Sequence, residues 1–166
     1  LIDVAKKSGA SALKIQTYTA DTITVDSKSK DFIIEGGLWD GRSLYDLYNE
    51  ASLPWSWHKP IFKYAEKKDL TIFSSPFDST AVDLLEDLNA PAYKIASFEA
   101  IDIPLIKYTA STKKPLIIST GMTTTDEIEE AVDAALSGGC KDLILLHCVS
   151  NYPALSRDYN LKTILD

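Results

Sequence analysis

Short, almost continuously apolar runs, each closed by small polar residues, alternate along this chain with amphipathic stretches. That alternation restricts the fold more than any other feature. The runs are Ala12 to Tyr18, Leu70 to Ser74, Ala92 to Ser97, Pro115 to Thr120 and Leu143 to Ser150. They read as strands buried on both faces, as parallel strands between layers are. Helical patterns lie between them, over Pro54 to Lys68, Ser79 to Leu88, Pro104 to Ser111 and Thr125 to Ser137. Asp78 and Thr124 read as N-caps, Thr124 and Glu127 have capping-box spacing, and Gly138 with Gly139 closes the last helix. Ile72, Tyr93, Ile117 and Ile144 fall 21, 24 and 27 residues apart, the period of consecutive βα units. The fold class is α/β with five parallel strands, and a barrel or a doubly wound sheet would hold them.

An eight-unit barrel takes about 250 residues, so five strands in 166 residues make a partial (β/α)8 barrel. Leu1 to Gly9 reads as the tail of a helix, there is no initial Met, and the chain stops in a helical pattern over Asn160 to Asp166. The expectation is that residues 1–166 are the central part of a barrel domain, truncated at both ends. One interval breaks the period, since Leu13 and Ile72 are 59 residues apart, leaving a long βα insertion over about 19–53. Such loops are usually functional. It carries Trp39, Tyr45 and Tyr48, with Trp55, Trp57 and His58 just beyond. A lid over the strand ends and a surface helix packed by its aromatics both fit.

A net charge of −7 and a pI near 4.8 argue against a nucleic-acid partner, which needs clustered Lys and Arg. Any anionic ligand must be held by a few local cations. No apolar stretch of about 18 residues and no secretory signature occurs, so the expectation is a soluble, cytoplasmic protein without a membrane partner. Cys140 and Cys148 lack Cys-x-x-Cys spacing and read as reduced thiols.

In parallel α/β folds, ligands bind at the carboxyl ends of the strands. Lys14 and Lys94 lie inside apolar runs, where a charge is costly unless it is paired or holds an anion. The bland reading of each is a snorkelling lysine at a strand end or a pair with a buried carboxylate. Ser75, Ser97 and Ser119, with the Gly121 backbone, could complete a phosphate cradle, although each serine alone is an ordinary turn or cap residue. Glu99 follows Ser97 by two positions, so on a strand both leave by one face, and a carboxylate there can act as general acid or base. Strict alternation sends Lys94 to the other face, so a shared site requires a bulge or a strand that has ended by Ala96. His147 reads as a satisfied core or helix-facing histidine, and no metal constellation is visible. Neither a Gly-x-Ser-x-Gly elbow, a P-loop nor a Gly-x-Gly-x-x-Gly turn appears, which disfavours serine hydrolases, nucleotide kinases and dinucleotide enzymes.

Taken in order, Lys14-Ile15-Gln16-Thr17, Phe73 to Asp78, Tyr93 to Glu99, Ile118 to Met122, and Leu146-His147-Cys148 leading to Tyr152-Pro153 resemble the sialic acid synthase family. These are phosphoenolpyruvate-dependent enzymes that make nine-carbon keto sugars. Leu38 to Tyr45 and Pro54 to Lys59 look like the pseudaminic acid branch, and Ser150 stands where N-acetylneuraminate synthases usually have Asn. The resemblance implies a barrel whose second to sixth units are present and a homodimer when the protein is complete. It also implies a divalent metal, Mn or Mg, whose ligands lie outside these residues, to polarise the sugar aldehyde. Carried over by motif, Lys14, Ser75, Lys94, Ser97, Ser119 and Ser150 surround phosphoenolpyruvate, Gln16 and Tyr152 face the amino sugar, and Glu99 is the catalytic acid or base. An N-acetylneuraminate or legionaminate synthase is the alternative within the family. A Schiff-base aldolase using Lys94 and a non-catalytic binding protein are the alternatives outside it.

Overall fold

In the computed structural model, which describes residues 1–151 and 153–165, five strands form one sheet in the order β1-β2-β3-β4-β5. The strands are β1 (Ala12–Thr17), β2 (Thr71–Pro76), β3 (Tyr93–Ile95), β4 (Leu116–Ser119) and β5 (Leu143–Leu146), and every neighbouring pair is parallel. Sequential strand order with a helical connection at each step is the progression of a barrel wall, and no strand order reverses as in a doubly wound sheet. The helices are α1 (Ile2–Lys7), α2 (Ala20–Ile23), α3 (Leu44–Ala51), α4 (Trp55–Lys67), α5 (Ser79–Asp87), α6 (Ile103–Ala110) and α7 (Thr125–Gly138).

Local chemistry sets the helix starts as expected. The Asp78 carboxylate accepts from the Thr80 and Ala81 amides, and Thr124 and Glu127 cap α7 reciprocally. At the other end of α7, Gly139 takes the left-handed conformation at φ 108°, where a side chain would be strained. The core lies on one face of the sheet. Tyr93, Ile95, Leu116 and Ile118 are fully buried there against Val82, Leu85, Ile106 and Ala135 of the helices.

The expectation of strands buried on both faces holds for β2 and β4, whose inner-face Ser75 and Ser119 are buried, and fails for the outer strands β1 and β5. On the inner face, Lys14 and Gln16 are exposed, and Ile144 of β5 is 51% exposed. Two strands are also shorter than their apolar runs. β3 ends at Ile95 because Ser97 turns to helical dihedrals and Phe98–Ile101 forms a 3-10 turn, and β5 ends at Leu146, short of Ser150. The insertion is ordered around small helices. Ile33 bridges antiparallel to Ser43, the Tyr45 hydroxyl donates to Asp21, and Lys28 pairs with Asp46. Its one tryptophan, Trp39, is half exposed, and Trp55, just beyond the insertion, lies against His58 at 5.8 Å between ring centres.

Candidate active site

Strand register assembles the inner face. Gln16 pairs with Ser75, Ser74 pairs with Tyr93, and Lys94 pairs with Ile117, so Gln16, Ser75 and Lys94 stand side by side. Alternation adds Lys14 to this face from β1 and Ser119 from β4. The two ammonium groups are close enough to repel. Burial, then the charge of Lys94, pushes Lys14 below the usual lysine range, although its exposed position lets solvent moderate the shift. Burial likewise pushes Lys94 down, against the pull of Cys148 and Glu99. Neither lysine forms an ion pair with a carboxylate among the described residues. Two cations without ion pairs thus stand near one another on this face, an arrangement that would attract an anion.

Hydroxyls and one backbone amide surround that pair. The Gly121 amide donates to Ser97 Oγ at 3.3 Å, and a Cβ at Gly121 would collide with Ser150 Oγ and crowd the Cys148 carbonyl at 3.0 Å. Glycine is needed for this close approach. Ser75 Oγ is buried without a partner, and Ser119 is 3% exposed at the end of β4. A phosphate or carboxylate oxygen would satisfy the orphan Ser75 hydroxyl, since a buried polar group without a bond is costly.

Glu99 stands on the 3-10 turn rather than on a strand, which corrects the shared-face argument for Ser97 and Glu99. It resolves the alternation difficulty too, because the chain has left the sheet by Ala96 and needs no bulge. Burial, the largest influence, pushes the Glu99 carboxyl above the usual range, with Asp102 adding to it and Lys94 opposing it. Its Oε2 is buried and unpartnered. Glu99 and Gln16 line a cleft of ≈ 380 Å³ with Ala96, Tyr18, Ile23, Tyr48, Phe77 and Phe98. Tyr18 meets Tyr48 and Phe77 edge-on, at 6.0 and 5.3 Å between ring centres.

Gln16, Ser75, Lys94 and Ser119 thus stand on the inner face of neighbouring strands, with Lys14 two residues before Gln16, while Ser97 and Glu99 follow β3 and Ser150 lies against Gly121. Tyr152 lies outside the described residues. Tyr48 of the cleft wall fits the expectation of an insertion over the strand ends, whereas the places of Tyr18 and Phe98 in that wall escaped the sequence reading, although aromatic residues just after strand ends were the available signal. So did a buried relay behind it. His58 is fully buried, its Nδ1 faces the carbonyls of Pro54 and Trp55 at 3.3 Å, and its Nε2 lies 2.9 Å from Thr17 Oγ1. Carbonyls only accept, so Nδ1 carries the proton and Nε2 accepts from Thr17. Thr17 Oγ1 is in turn 2.7 Å from Ser74 Oγ, and burial holds His58 below its usual range, hence neutral. His147 is satisfied through Nε2 by the Tyr159 carbonyl at 2.8 Å, and both cysteines are free thiols. Among the described residues no three His, Cys, Asp or Glu side chains converge, so these residues do not fit a divalent metal.

The profile of the NeuB family matches residues 1–166, the whole of the sequence. The chain belongs to the NeuB family. It is 49% identical over 160 residues to the pseudaminic acid synthase of Helicobacter pylori, covering 96% of this chain and 47% of that protein. It is 34% identical over 168 residues to the N,N'-diacetyllegionaminic acid synthase of Legionella pneumophila, covering 99% of this chain and 47% of that one. Among solved structures, the N-acetylneuraminic acid synthetase of Leptospira borgpetersenii, in complex with citrate, superposes with a TM-score of 0.84 at 28% identity. That match covers 99% of this chain and 52% of the other. The chain therefore spans about half the length of the relatives it matches. No described helix is long and apolar enough to cross a membrane.

Proposed function

We propose that this chain is the central part of the catalytic barrel of a pseudaminic acid synthase, which condenses phosphoenolpyruvate with a 2,4-diacetamido-trideoxyhexose and releases phosphate. The observation that carries the reading is the pair of unpaired ammonium groups, Lys14 and Lys94, beside the orphan hydroxyl of Ser75. Phosphoenolpyruvate brings roughly three negative charges, which such a cradle of cations and neutral donors matches. Identity to pseudaminic acid synthases supports the branch.

In this reading Lys14, Ser75, Lys94, Ser97, Ser119 and Ser150 hold the phosphate and carboxylate, and Gln16 and Tyr152 hold the sugar. The C3 atom of phosphoenolpyruvate attacks the aldehyde carbon of the open-chain sugar, and the aldehyde oxygen takes up a proton. The resulting cation at C2 is captured by water, which loses a proton, and carbon–oxygen cleavage expels phosphate. Glu99, with a raised carboxyl and a free Oε2, is suited to move one of these protons. The divalent metal belongs to the proposal with ligands elsewhere in the complete protein, and no step is assigned to it. Two free thiols suit a reducing, cytoplasmic setting, and the complete protein is proposed to be a homodimer.

The test is phosphate release by the complete protein from phosphoenolpyruvate with Mn or Mg, comparing the diacetamido sugar with N-acetylmannosamine. Release with the diacetamido sugar alone is expected. Release with N-acetylmannosamine alone would overturn the branch, and a borohydride-trapped pyruvate adduct on Lys94 would replace the synthase with an aldolase.

A further inference from the structure

The cleft beside Glu99 is lined by both polar and apolar side chains. Gln16 and Glu99 stand next to the anion site, whereas Ile23 and Tyr48 come from the insertion and Phe77 from the turn after β2. The Tyr18 ring, 6% exposed, is wedged edge-on between Tyr48 and Phe77 and holds both in place. The Tyr45 hydroxyl, one residue into α3, donates to Asp21 of α2 and so ties together the two insertion helices that carry Tyr48 and Ile23. The reacting carbon of an open-chain sugar must lie at the anion site, so the other end of its carbon chain runs away from it. We infer that Tyr48, Ile23 and Phe77 form an apolar subsite for the far end of the sugar, seating the C6 methyl and adjoining acetamido methyl of a deoxy amino sugar.

This rests on the synthase reading and names the specificity element within that site. The physical basis is desolvation: a methyl against Ile23, Phe77 and the ring face of Tyr48 loses nothing, whereas a hydroxymethyl seated there loses hydrogen bonds to water, of which only the Tyr48 hydroxyl can replace one. A pocket of this kind discriminates modestly, by about tenfold to a hundredfold.

The experiment measures kcat/KM for phosphate release by the complete protein, with the diacetamido-trideoxyhexose and with the same sugar bearing a 6-hydroxyl. Wild type is expected to prefer the 6-deoxy sugar by about tenfold or more. Tyr48→Ala and, separately, Ile23→Ala are expected to bring the ratio to within about threefold. The change should appear in KM for the sugar, with KM for phosphoenolpyruvate unmoved, while Tyr48→Phe keeps the preference. If both alanine variants turn over with the wild-type preference, the subsite is overturned and the synthase reading stands. If wild type does not turn over the 6-deoxy sugar, both fall together.

Discussion

The acid–base role proposed for Glu99 rests on one atom, its Oε2, which is buried and has no donor. Glu99→Gln is expected to lower kcat by at least about a hundredfold, the usual size of an acid–base contribution, with KM for phosphoenolpyruvate little changed. A rate within a few fold of wild type would end the assignment. The same substitution has a signature in stability. Because burial raises the carboxyl, the folded state keeps its proton to higher pH than the unfolded chain. Stability then falls as pH climbs from about 4.3 towards the raised folded value, and Glu99→Gln should remove that fall in thermal melts across this range. Individual residues were legible in the sequence where they broke a pattern. Lys14 and Lys94 stood out as charges within apolar runs, but His58 did not, because its partner Thr17 is 41 residues away.

At the scale of elements, the relay from His58 through Thr17 to Ser74 ties α4 to β1 and β2. It lies one residue from Gln16 and one from Ser75. Thr17→Val keeps the shape but leaves His58 Nε2 without a donor, a cost of about 1–3 kcal/mol readable by urea unfolding of the complete protein. Thr17→Ser should restore most of it. Burial also lowers His58, so the folded state favours the neutral ring. Its stabilisation is complete above the unfolded value of about 6.5 and declines as pH falls below it, a slope that His58→Gln should abolish. Helix starts were legible, as Asp78 and Thr124 cap through their own next few residues. Strand ends were not. The run to Ser97 is apolar enough for a strand, yet Ser97 turns and Glu99 leaves the sheet, a choice made by its surroundings rather than by propensity.

At the scale of the whole sheet, the outer strands of residues 1–166 are the exposed ones. Ile144, Leu145 and Leu146 of β5, the last strand in the sheet of the described residues, are 51%, 44% and 37% exposed, an apolar strand that can pair with another chain. Residues 1–166 expressed alone are expected to associate, seen as early elution in size-exclusion chromatography, and Ile144→Lys with Leu146→Lys should reduce it. A monodisperse monomer without these substitutions would contradict this. The order of apolar runs, their spacing and the local caps determined by themselves that the chain winds as successive parallel βα units, since periodicity and capping act within one turn or one strand. Motif order was enough to name the family. Only the tertiary structure decided that Lys14 approaches Lys94, that Ser97 and Ser150 meet at Gly121, and that an aromatic wall from the insertion stands beside Glu99. Those juxtapositions join residues far apart in the chain, and strand register and burial, which no local window contains, bring them together.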